Sequence, residues 1–129
     1  TINYKGKGNL VSTGNTYVYS QLIPSDNFID FPENDLMVLT TQQNIYLHLN
    51  GSLGGTGIDN PNAAIMCIAN DTTELENGVI LRGSTVSNSL ITDQNAYIYY
   101  EEDIGNQLPV GVPQFNNILF TLDWQEIID

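Results

Sequence analysis

Apolar residues in this chain come in short runs cut by Asn, Gly, Ser, Thr and Asp, and no amphipathic stretch reaches helix length. Such a pattern builds strands joined by turns, because a strand needs only a few suitable residues and a helix ten or more. Residues 16–23 (TYVYSQLI) are rich in β-branched and aromatic side chains and read as the first clear strand. Residues 36–41 and 44–50 follow as a pair. In the second, Ile45, Leu47 and Leu49 alternate with Tyr46, His48 and Asn50, the period-two pattern of a half-buried strand. Residues 63–69 (AAIMCIA) form a continuous apolar run, expected as a strand buried on both faces. Residues 79–82, 86–91, 95–100 and 117–124 complete about eight strands at spacings of roughly 8–15 residues, the rhythm of a sandwich or barrel.

The intervals are turn-like. Pro24 to Asn27 break the first strand. Phe28, Ile29 and Phe31 form an apolar patch ended by Pro32, suited to plugging the end of a sandwich. Residues 50–61 (NGSLGGTGIDNP) and 101–113 are long loops, placed where recognition commonly resides. Residues 71–77 read as an acidic turn, closed by the strong turn pair Asn77-Gly78. No internal repeat shows. The resulting expectation is one all-β domain, an antiparallel β-sandwich of jelly-roll type with about eight strands, over residues 15–129. Residues 1–14 are set apart as a linker or edge segment. An immunoglobulin-like sandwich comes second, since its Cys-Trp-Cys landmark is absent.

Charge narrows the partners. Only Lys5, Lys7 and Arg82 oppose fifteen acidic residues, for a net charge of -12. Nucleic-acid phosphates and anionic membranes need basic clusters that this chain lacks. No run approaches the ~20 apolar residues of a membrane-spanning helix. Charged residues make up only 14% of the chain, so amides and hydroxyls wet much of the surface. Cys67 is the sole cysteine, which excludes an intrachain disulfide.

Chemistry-bearing residues are sparse. His48, the single histidine, lies on the polar register of its strand, and with Cys67 it cannot build a zinc site. Cys67, inside the most apolar run, reads as an inert core thiol. The glycines of residues 51–57 are followed by no Lys-Ser or Lys-Thr, so they form no phosphate-binding loop. No catalytic set and no cofactor are expected. The acids cluster in loops: Asp26 with Asp30, Glu33 with Asp35, Asp71 with Glu74 and Glu76, and residues 101–103. None matches a calcium-loop pattern, and Asp71, Glu74 and Glu76 are the first place to look for a metal. The tyrosines are the better candidates. Tyr17 with Tyr19, and Tyr97 with Tyr99, recur at the spacing that puts both rings on one strand face, suited to subunit packing or a ligand.

These features favour a non-enzymatic structural or attachment module, such as the head or receptor-binding domain of a viral or phage fibre or a capsid spike. It would be located on a virion or cell surface. Homo-oligomers, a trimer among them, would bury the second apolar face of the strands. The alternative is a carbohydrate-binding or adhesin module stabilised by calcium, with a host receptor or glycan as partner.

Overall fold

The computed structural model describes residues 1–49 and 56–112. Among the described residues nine strands make one sheet: β1 (Ile2–Tyr4), β2 (Lys7–Ser12), β3 (Thr16–Val18), β4 (Leu22–Pro24), β5 (Leu36–Thr41), β6 (Ile45–Leu47), β7 (Ala63–Leu75), β8 (Ile80–Thr92) and β9 (Tyr97–Tyr100). A short 3-10 helix covers Glu102–Asn106. The expected strand between residues 117 and 124 and the loop residues 50–55 lie outside the described residues.

Every strand pair among the described residues is parallel, which overturns the antiparallel sandwich. The sheet is a curled half-barrel in which the chain winds in successive coils. β1, β2 and β3 form the first coil and lie beside β4, β5 and β6 of the second. All three strands of the second coil then pair with β7, a single strand of 13 residues. The strand β8 repeats β7 one coil further on, and β9 begins the next. Residues 1–14 therefore hold β1 and β2 at the outermost coil. The acidic stretch 71–75 continues β7, and only Asn77-Gly78 turns.

The physical reason for parallel pairing is that each coil returns the chain to the same side of the sheet. A tight hairpin would reverse the strand, whereas parallel neighbours need a connection long enough to come round. Here the rest of the coil is that connection. Corners fall at polar residues: Thr13 to Asn15, Gln42 to Asn44, and Asn70-Asp71, where the β7–β8 register shifts. Asn15 Oδ1 accepts from the Asn44 backbone N–H at 3.2 Å, and Asn44 Oδ1 accepts from the Thr72 N–H at 3.0 Å. The amides thus satisfy corner backbone groups from one coil to the next.

Two apolar layers result. Inside the curl lie Leu22, Leu39, Ile45, Leu47, Ala63, Ile65, Cys67, Leu75 and Leu81. On the outer face of the same strands lie Leu36, Val38, Ala64, Met66 and Ile68. Residues 25–35, inserted between β4 and β5, cover that outer face with Phe31, and the segment after β9 covers it with Ile104 and Val112. The 63–69 run is therefore buried on both faces, as expected, but its second face is covered from within the chain. Arg82 ties the two covers together. Its guanidinium lies 4.9 Å from the Phe28 ring centroid and 5.5 Å from that of Phe31, while its Nε donates to Glu101 Oε1 at 2.6 Å.

Candidate functional site

Strand alternation sets the first candidate surface. Val18, Ile45, Leu47, Thr73 and Leu75 turn inward and are buried. The intervening residues of the same three strands must then face outward. Parallel register aligns Tyr17 with Tyr46 and Tyr46 with Glu74 on consecutive coils. Tyr19 and His48 follow one alternation later, and the His48 N–H donates to the Val18 carbonyl at 3.1 Å.

The rings form a connected face. Tyr17 and Tyr46 stack with centroids 4.9 Å apart and planes 16° from parallel. Tyr17 and Tyr19 lie 6.1 Å apart and 5° from parallel. The His48 ring is 5.3 Å from Tyr46 and meets Tyr17 edge-on at 6.4 Å. Tyr17 is 50% exposed and Tyr19 64%, so the face is open to solvent. His48 Nε2 lies 3.5 Å from Glu74 Oε2, an ion pair whenever the imidazole is protonated. Two rows of ring and one bordering carboxylate therefore share one surface.

Of the sequence candidates, Tyr17 and Tyr19 belong to this face. Tyr97 and Tyr99 do not: they lie on β9, beside Ile80 and Arg82, on a different ladder of the sheet. Tyr97 is exposed, and so is Tyr100, whereas Ala96 and Ile98 pack on the core. Asp71 sits exposed at the irregularity in β7, Glu74 points toward His48, and Glu76 follows the end of β7. Tyr46 and His48 carry no ligand signal in the sequence on their own strand. Their signal was Tyr-x-His placed one coil after Tyr-x-Tyr, readable only once the coil is known.

A second constellation lies in the insertion between β4 and β5. Among the described residues, Asp26, Asp30 and Asp35 form the one group with ligand oxygens all within 4.8 Å of one another. Asp30 anchors a turn, its carbonyl accepting from the N–H groups of Asn34 at 2.8 Å and Asp35 at 2.9 Å. Asp35 is buried at 2% exposure, and its Oδ1 accepts from the Gly6 N–H at 2.6 Å. Its Oδ2 and Asp26 Oδ1 are buried and meet no N–H or hydroxyl donor, which leaves the neighbouring carboxyls as their company. Desolvation, then a hydrogen bond with Asp30 and the charge of Asp35, hold the Asp26 carboxyl above its usual range. Ionising a carboxyl raised in this way is costlier in the folded than in the unfolded chain, so stability falls as pH rises from the ordinary Asp range through the raised folded-state value.

Two further groups are chemically quiet. The Cys67 thiol is fully buried and its pKa is pushed up to about 12 by desolvation, so it stays neutral. Burial likewise raises the Tyr4 phenol, whose OH donates to the Ala64 carbonyl at 2.5 Å. Both stabilise the core. Comparison of the chain with protein-family models, curated proteins and solved structures finds no match.

Proposed function

We propose that this chain is a non-enzymatic attachment module that holds an uncharged glycan against its outer aromatic face. The observation that carries the reading is the stack of exposed Tyr17 and Tyr19 with half-buried Tyr46, and His48 beside it. A sugar ring presents weakly positive C–H groups on one face and hydroxyls around its edge. The former suit the negative face of an aromatic ring, and the latter suit phenol, imidazole and carboxylate groups. Glu74 supplies such an acceptor at the border of the face. The net charge of -12 repels polyanions and so disfavours acidic polysaccharides.

Fibre heads and capsid spikes are settings in which such a module would serve host attachment. Self-association would use the coil edges left unpaired among the described residues, where Leu10, Val11, Leu90 and Ile91 are exposed, because the outer sheet face is already covered.

Tyr19 gives the clean test. Its ring is at the margin of the stack and 64% exposed, so Tyr19→Ala should change stability by less than about 1 kcal/mol. Titration of the wild-type chain with a panel of neutral oligosaccharides should reveal a ligand, and Tyr19→Ala should weaken its binding at least about tenfold. No binding by the wild type, or equal binding by the variant, would remove the aromatic face from the function.

A further inference from the structure

We propose that Asp26, Asp30 and Asp35 bind one calcium ion, which fastens the 25–35 insertion over the outer face of the sheet. Three carboxylates from a single turn converge, with oxygens within 4.8 Å of one another. Convergence alone is common among exposed acids. The buried state of Asp35 is what sets this group apart.

Asp35 is 2% exposed; its Oδ1 accepts from Gly6 N–H, and its buried Oδ2 meets no N–H or hydroxyl donor, with only the Asp26 carboxyl hydrogen-bonded to the Asp35 side chain. A carboxylate withdrawn from water and left half satisfied is costly, and proteins answer that cost with a counter-charge, a donor or a metal. The two ion pairs formed among the described residues join His48 to Glu74 and Arg82 to Glu101, so neither neutralises the trio. Asp26 adds a second buried oxygen to the same group, with only the Asp30 and Asp35 carboxyls as its side-chain hydrogen-bond partners.

All the available donors are oxygens, which selects hard cations over zinc or copper. Calcium accepts irregular sets of six to eight oxygens and tolerates carboxylates that bind through one or both atoms. Magnesium demands near-octahedral geometry and gives up its waters reluctantly. Three carboxylates on a turn, completed by water, suit calcium. Binding would tie Asp26, near the start of the insertion, to Asp35, which is held to Gly6 at the opposite end. The ion would therefore stabilise the cover that carries Phe28 and Phe31.

The test is a calorimetric titration of the whole chelator-stripped chain with calcium chloride, together with thermal unfolding in calcium and in chelator. One calcium per chain is expected, with a dissociation constant of about 10⁻⁵ to 10⁻³ M and a midpoint raised by several degrees. Asp30→Asn, at a half-buried position, should still fold and should bind calcium at least about tenfold more weakly. Asp26→Asn should do the same. Absence of a calcium effect on the wild type would overturn the proposal. So would a calcium shift that survives in the Asp26→Asn, Asp30→Asn double variant, since the ion would then sit elsewhere. An equal response to magnesium chloride would overturn the assignment to calcium.

Discussion

Gly83→Ala is expected to destabilise the protein by at least about 3 kcal/mol, and a fold with little reserve would not survive it. Gly83 lies within β8, directly beside Ile65 of β7, and is itself flanked by Tyr100 of β9. A Cβ there would stand 1.9 Å from the Ile65 carbonyl oxygen and 2.9 Å from its carbon. Those are backbone atoms of the central strand, so no rotamer change relieves the clash. Either β8 bulges or it parts from β7, and each outcome breaks the ladder that joins the third coil to the fourth. The contrast is Gly8→Ala in β2, where nothing lies within 4 Å of the added carbon. That substitution should leave stability within about 1 kcal/mol of the parent. Chemical denaturation of both variants checks the pair, and a mild Gly83→Ala would contradict the parallel β7–β8 register.

Met66→Asp and Cys67→Asp should each abolish cooperative folding. The two residues are neighbours on β7 and face opposite ways. Cys67 packs within the curl, and Met66 packs beneath Phe31 and Ile104 on the outer layer. Each is buried, at 4% exposure for Met66 and 0% for Cys67. An unpaired carboxylate at either place costs several kcal/mol, comparable with the whole stability of a small domain. A sheet with one face in water would tolerate the change on that face. Circular dichroism and thermal melts of the two variants therefore distinguish a strand covered on both sides from one covered on a single side.

Local strand structure was legible because it depends on near neighbours. The alternation of Ile45, Leu47 and Leu49 with Tyr46 and His48 gives β6 its inward and outward faces, and the apolar run at 63–69 gives the doubly buried heart of β7. Strand direction was hidden because it depends on what lies between strands. Lys7 pairs with Leu36, but Ala63 pairs with the much nearer Leu81, so the coils differ in length and leave no fixed period in the sequence. The residues that stack also share little identity: Leu10, Leu39, Cys67 and Thr85 occupy one column. The 25–35 insertion and the loop between β6 and β7 lengthen the early coils.

The same property divided the candidate sites. Tyr17 and Tyr19 stood out because i, i+2 spacing on one strand is a local signal. Their partners Tyr46 and His48 arrive only through coil-to-coil register. For the acids, the sequence pointed to Asp71, Glu74 and Glu76, yet the turn at 25–35 gathers Asp26, Asp30 and Asp35. Sequence spacing sets Asp26 and Asp30 apart from Asp35, because spacing alone does not reveal how a turn folds back on its own first residue.

Both candidate surfaces depend on the parallel coil, and cross-strand proton contacts measured by nuclear magnetic resonance on the isotope-labelled chain test it most directly. The parallel arrangement requires contacts that run in order from Leu39 to Cys67 to Thr85, ring contacts between Tyr17 and Tyr46, and no close Hα–Hα pairs between β7 and β8. Strong Hα–Hα contacts between those strands, with residue order reversed, would show antiparallel pairing and contradict the coil together with both sites built on it.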